Sequence, residues 1–169
     1  MHAFIGELID GLPVGAYGMY LALFLLTFGL VRCSLHPTVF ALVAWPGTLA
    51  HELSHAAVGL LLGAKPASMS LWPKSLGDGR WQLGSVGFTN LKWWNAPWTA
   101  LAPMLLAPLS LALALTWVYP AWASGDLAAV GIALYVCATM LQASWPSSTD
   151  FKVALPGLAI IALIIAWLW

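Results

Sequence analysis

Thr48-Leu49-Ala50-His51-Glu52-Leu53-Ser54-His55-Ala56-Ala57 places three ionisable side chains inside an otherwise apolar segment. Such residues within an apolar span are functional candidates by default, because an unpartnered charge in hydrocarbon is costly. On a helix His51 and His55 stand one turn apart on the same face, so both imidazoles can reach one metal ion. Glu52 stands beside them, placed to act on a water. The spacing is H-E-x-x-H, which suits a zinc ion with an adjacent general base. The competing reading makes the histidines packing residues and Glu52 their buried partner. It requires a carboxylate and two imidazoles to be buried without an ion, at a cost of several kcal/mol.

Working outward, the chain is 62% hydrophobic and 7% charged, against about 25% charged residues in an average soluble domain. With a mean hydropathy of +0.88, this composition predicts an all-α polytopic membrane protein. The 169 residues leave room for four or five spans of about 20 residues and one modest extramembrane segment. A formal net charge of zero argues against nucleic acid as a partner. Cys33 and Cys137 have no metal-like spacing and read as small apolar residues. No Lys or Arg precedes Arg32, and Glu7 and Asp10 stand in the lead, so the first apolar run reads as a retained helix instead of a cleaved signal peptide.

The chain reads as a single integral-membrane domain over residues 1–169. About five transmembrane helices are expected near 14–31, 37–63, 97–119, 126–145 and 151–169, with a small membrane-associated β-hairpin at 64–96 between the second and third. Residues 1–12, with His2, Glu7 and Asp10, read as an interfacial lead, and His36 beside Pro37 as a loop residue. Pro46 predicts a bend about one turn before His51, and Gly59 to Gly63 matches the small-xxx-small spacing of closely packed helices. Asp78-Gly79 marks the turn of the hairpin, while Trp72, Trp81, Trp93 and Trp94 suit a segment at the membrane interface. Trp167 and Trp169 read as interfacial anchors at the end of the last helix. Pro103 and Pro108 predict kinks in the third span, whose freed backbone groups must find partners in protein or water.

A catalytic zinc takes three protein ligands and keeps a fourth position for water. The acidic candidates for the third ligand are Glu7, Asp10, Asp78, Asp126 and Asp150. Asp150 is favoured, since it follows a proline break between two apolar runs with only Lys152 as a nearby charge. The other role open to it is N-cap of the last helix. With five spans, Lys65, Lys74, Arg80, Lys92 and Lys152 share one side and Arg32 stands alone on the other. The positive-inside rule makes the first side cytoplasmic, with the site opening toward it.

His51-Glu52-Leu53-Ser54-His55-Ala56, followed by Leu62-Gly63 and then by Gln142, Pro146 and Asp150 ahead of a last apolar helix, resembles the site-2 protease family of intramembrane zinc metalloproteases. The resemblance is to a compact form without a PDZ domain and covers roughly residues 45–155. In that family a second motif of Asn, Pro and Asp precedes a core helix, and its Asp is the third zinc ligand. Pro146 and Asp150 match that order, with Gln142 in the place of the Asn. Phe151-Lys152 follows Asp150 where Gly is usual, and Ser54 stands where Gly is common. The resemblance implies hydrolysis of peptide bonds in or next to transmembrane helices of membrane-protein substrates. It implies one Zn2+ per chain on His51, His55 and Asp150, with Glu52 as general base. It further implies an unwound substrate paired with the hairpin and met by Gln142.

Two other readings stay open. One is a non-proteolytic membrane protein with a structural or sensory zinc, marked by a fourth ligand such as His36 or Cys137. The other is a zinc hydrolase of a non-peptide substrate, because the motif specifies water activation and not the bond attacked. Small size and the lack of targeting features fit a prokaryotic inner membrane.

Overall fold

Long uncharged runs of Ala and Leu favour helices, which satisfy their own backbone hydrogen bonds. The chain is accordingly mostly helical in the computed structural model, which describes residues 14–33, 37–77 and 80–169. The lead with His2, Glu7 and Asp10, the loop residue His36 and the Asp78-Gly79 turn lie outside the described residues. In chain order the elements are α1 (Val14–Cys33), α2 (Pro37–Val43), α3 (Trp45–Leu61), β1 (Pro66–Ser70), β2 (Lys74–Gly77), β3 (Arg80–Gln82) and β4 (Ser85–Phe88). They are followed by α4 (Ala96–Ala123), α5 (Leu127–Ala143) and α6 (Ser148–Leu168).

Three helices, within α1, α4 and α6, are long and apolar enough to cross a membrane, and α5 is a shorter apolar helix. The segment expected as one second span is instead two helices separated by a turn at Ala44. Pro46 has no N–H to give to Leu42 four residues back, so the helix stops and restarts, with the proline in the tolerant first turn of α3. The helix α4 is irregular around its prolines. A 3-10 turn at Ala102–Leu105 contains Pro103, and a π-type turn at Ala114–Val118 precedes Pro120.

Gly63 ends α3 in the left-handed conformation, at φ 69°. Its N–H donates to the Leu60 carbonyl and that of Ala64 to the Gly59 carbonyl, which closes the helix end. Only Gly59 of the small-xxx-small pair therefore packs, against Phe88 and Thr99. The link from α3 to α4 is one antiparallel hairpin in two ladders. Met69 pairs with Val86 in the β1–β4 ladder, and Ser75 with Trp81 in the β2–β3 ladder. Pairing lapses around Pro73, which lacks a ladder donor.

One core joins α1, α5 and the second half of α4 through Leu23, Val118, Ala133 and Cys137. α3 crosses α5 where Gly47 meets the Thr139 carbonyl, and α6 crosses the start of α4 where Gly157 meets Trp93 and Pro97. Side-chain hydrogen bonds tie α5 to α4 and to α2. Ser110 Oγ donates to the Cys137 carbonyl at 2.7 Å and Tyr135 to the Val43 carbonyl at 2.6 Å. The far half of α6 turns Leu163, Ile164, Ile165 and Trp167 outward, a surface compatible with a membrane environment.

Candidate metal centre

α3 carries His51 and His55 on one face, as the spacing predicts, and α6 brings Asp150 to them from its first turn. The two Nε2 atoms are 3.2 Å apart. Asp150 Oδ1 lies 3.3 Å from Nε2 of His55, and Oδ2 lies 3.5 Å from Nε2 of His51. Among the described residues this is the group of His, Cys, Asp and Glu side chains able to share an ion, and no fourth such side chain joins it.

The second nitrogen of each ring explains the arrangement. His51 Nδ1 is 2.7 Å from the Ala143 carbonyl oxygen, and His55 Nδ1 is 2.8 Å from that of Thr99. A carbonyl only accepts, so each Nδ1 carries the proton and each Nε2 presents a lone pair. Two imidazole nitrogens and a carboxylate thus converge, a set of ligand atoms that could hold a cation. The three separations fit one small divalent ion. Bonds of about 2.0–2.1 Å in tetrahedral directions put neighbouring ligand atoms about 3.3 Å apart. Backbone carbonyls behind the histidines are the usual means of fixing ligand orientation.

Both carbonyls are available for a local reason. Ala143 is the last residue of α5, where helix carbonyls have no helical donor. Thr99 precedes Pro103 by four residues, and the proline has no N–H to return to it. Asp150 is the third residue of α6 and also completes a capping box. Its Oδ2 accepts the Ser147 N–H at 2.6 Å, and its own N–H donates to Ser147 Oγ at 3.2 Å. The N-cap is Ser147, so Asp150 serves the helix end and the ion site together.

Glu52 is only 7% exposed, makes no hydrogen bond among the described residues and lies beside the three-residue group without belonging to it. The link between β3 and β4 covers it, with Gly84 directly against the carboxyl. Glu52, the histidines and Asp150 border a cavity of about 690 Å³, walled by Trp81 to Val86 of the hairpin and by the Gln142 to Asp150 link. Gln142 lines this cavity and has no hydrogen-bond partner among the described residues. Ser54 turns away, donating to the His51 carbonyl at 2.7 Å. Cys137 is buried in the core and Asp126 caps α5 by accepting the Ala129 N–H, both apart from the group.

Sequence reasoning did not single out Thr99, Ala143 or Gly84. One signal was present for Thr99, since a proline in a helix marks the carbonyl four residues earlier as free. Comparison with protein-family models, with curated proteins and with solved structures returns no match.

Proposed function

We propose that this protein is an intramembrane zinc metalloprotease, similar to the site-2 protease family, that hydrolyses peptide bonds in or next to transmembrane helices of other membrane proteins. The observation that carries the reading is the convergence of His51, His55 and Asp150 on one point beside a buried glutamate with no hydrogen bond among the described residues. Three donors leave a coordination position open, as a catalytic ion requires and a structural one does not.

In this reading the bilayer is crossed five times, by α1, by α2 with α3, by α4, by α5 and by α6. By the positive-inside rule the basic residues support a cytoplasmic position for the hairpin and the Asp150 link, in a membrane read as a prokaryotic inner membrane. His51, His55 and Asp150 would hold the zinc ion. A bound ion would supply Lewis acidity toward a carbonyl oxygen and a water. The Glu52 carboxylate takes the proton of the attacking water and delivers it to the leaving amine. The Ala143 and Thr99 carbonyls keep both imidazoles turned to the ion throughout. A helical substrate hides its peptide bonds, so it must unwind, and the hairpin walling the cavity offers strand edges to the extended segment. Gln142 is placed to meet the substrate backbone.

Glu52→Gln tests the reading in cells carrying a single-span substrate. Zinc content should stay near one per chain while cleavage is lost, and retained cleavage removes Glu52 from the mechanism. Cleavage of a helical peptide by the purified protein in detergent separates a protease from a hydrolase of other substrates.

A further inference from the structure

We propose that Pro103 is a positioning residue of the metal centre, acting through the Thr99 carbonyl on His55; this rests on reading His51, His55 and Asp150 as an ion site. Pro103 is not one of the three candidate ligands. Its contribution is the N–H it lacks. In an unbroken helix the amide at position 103 donates to the carbonyl of residue 99. With proline there, that carbonyl has no α-helical donor and accepts the Nδ1–H of His55 at 2.8 Å.

The contact decides which nitrogen faces the ion. With Nδ1 protonated and engaged, His55 presents the Nε2 lone pair to His51 and Asp150. The backbone departs from regular α geometry at the same point, with the 3-10 turn at Ala102–Leu105. Pro103 is fully buried, so its ring also fills space, and a test must separate volume from the missing donor. The Thr99 hydroxyl is not the agent, since Oγ1 is buried without a partner.

Full-length protein in detergent, stripped of metal and titrated with Zn2+ against a chromophoric chelator, measures the effect without any substrate. Pro103→Val restores the N–H at similar volume, and Pro103→Ala restores it at smaller volume. Both should bind Zn2+ about 10- to 100-fold more weakly, the usual cost of losing a partner behind a ligand. Pro108→Ala removes an exposed proline of the same helix and should bind as the native protein does. Native-like affinity in Pro103→Val overturns the proposal, and so does equal weakening in Pro108→Ala. If the Pro103 variants do not fold, imidazole 15N shifts of the native metal-free protein decide. A proton on His55 Nδ1 supports the hold by Thr99, and a proton on Nε2 overturns it. Absence of Zn2+ binding by the native protein is a different failure, that of the metal reading itself.

Discussion

Gly84 lies so close to Glu52 that a β-carbon built on it falls 2.6 Å from Oε1 and 2.6 Å from Cγ of the glutamate. Its backbone is not left-handed, so the conformation itself admits alanine, and the three atoms nearest the added carbon all belong to Glu52. Gly84→Ala should displace the carboxyl while leaving the ion ligands in place. We expect unchanged zinc content and a fall in cleavage rate of about a hundredfold, the scale of an ångström-sized misplacement of a reacting group. Wild-type cleavage by Gly84→Ala would show that the hairpin link yields and Glu52 does not.

Asp150 and Ser147 share a helix cap but only Asp150 faces the histidines, so their variants should separate. Ser147→Ala loses one capping bond and should cost about 1 kcal/mol with zinc retained. Asp150→Asn keeps an oxygen for the Ser147 N–H and loses the carboxylate charge at the ion. Thermal unfolding with and without a zinc chelator reads the difference. Native protein and Ser147→Ala should lose stability on chelation, by about 2.7 kcal/mol where free zinc had been a hundred times the dissociation constant. Asp150→Asn should respond far less.

Asn95 is fully buried and ties three pieces of backbone together. Its Nδ2 donates to the carbonyls of Leu62 at 3.3 Å and Asn90 at 3.1 Å, and its Oδ1 accepts the Lys92 N–H at 2.7 Å. The residue therefore joins the end of α3 to the start of α4. Asn95→Ala leaves those groups without their partner and should cost about 2–3 kcal/mol in detergent unfolding. A change below about 0.5 kcal/mol would mean that water replaces the side chain at little cost.

Gly47 and Gly131 are both helical glycines but differ in what an added methyl meets. At position 47 it runs into the Thr139 carbonyl of α5, and at position 131 nothing lies within 4 Å. Gly47→Ala should destabilise by about 1–3 kcal/mol and loosen the hold of α5 on His51. Gly131→Ala should be neutral, or stabilising by up to about 1 kcal/mol through a less flexible unfolded chain. Matched melting curves check both.

The helical character of the chain, the hairpin between α3 and α4 and the placement of His51 and His55 on one face are legible in the amino-acid sequence. Each depends on residues near one another along the chain, namely uncharged apolar runs, alternation flanking Asp78-Gly79, and a four-residue spacing that one helical turn converts into a shared face. Asp150 is legible for a related reason, since a carboxylate just after a proline break and amid apolar runs has few cheap roles. The division of the second span at Ala44 is less so: Pro46 announces a bend, but a bend and a full stop have the same local signature.

The amino-acid order alone thus determined which side chains gather at the candidate site and, the break at Ala44 aside, which stretches form helices, because both follow from local spacing and polarity. Tertiary structure decided how that chemistry is held. The Thr99 and Ala143 carbonyls that orient the histidines lie 44 and 92 residues away along the chain. Every residue one turn before a helical proline or at a helix end offers such a carbonyl, so nothing local distinguishes the two that are used. The close seat of Gly84 on Glu52 is likewise a product of where the hairpin folds back onto α3. Such contacts carry no side-chain signature, and only the packing of α4, α5 and the hairpin around α3 selects them.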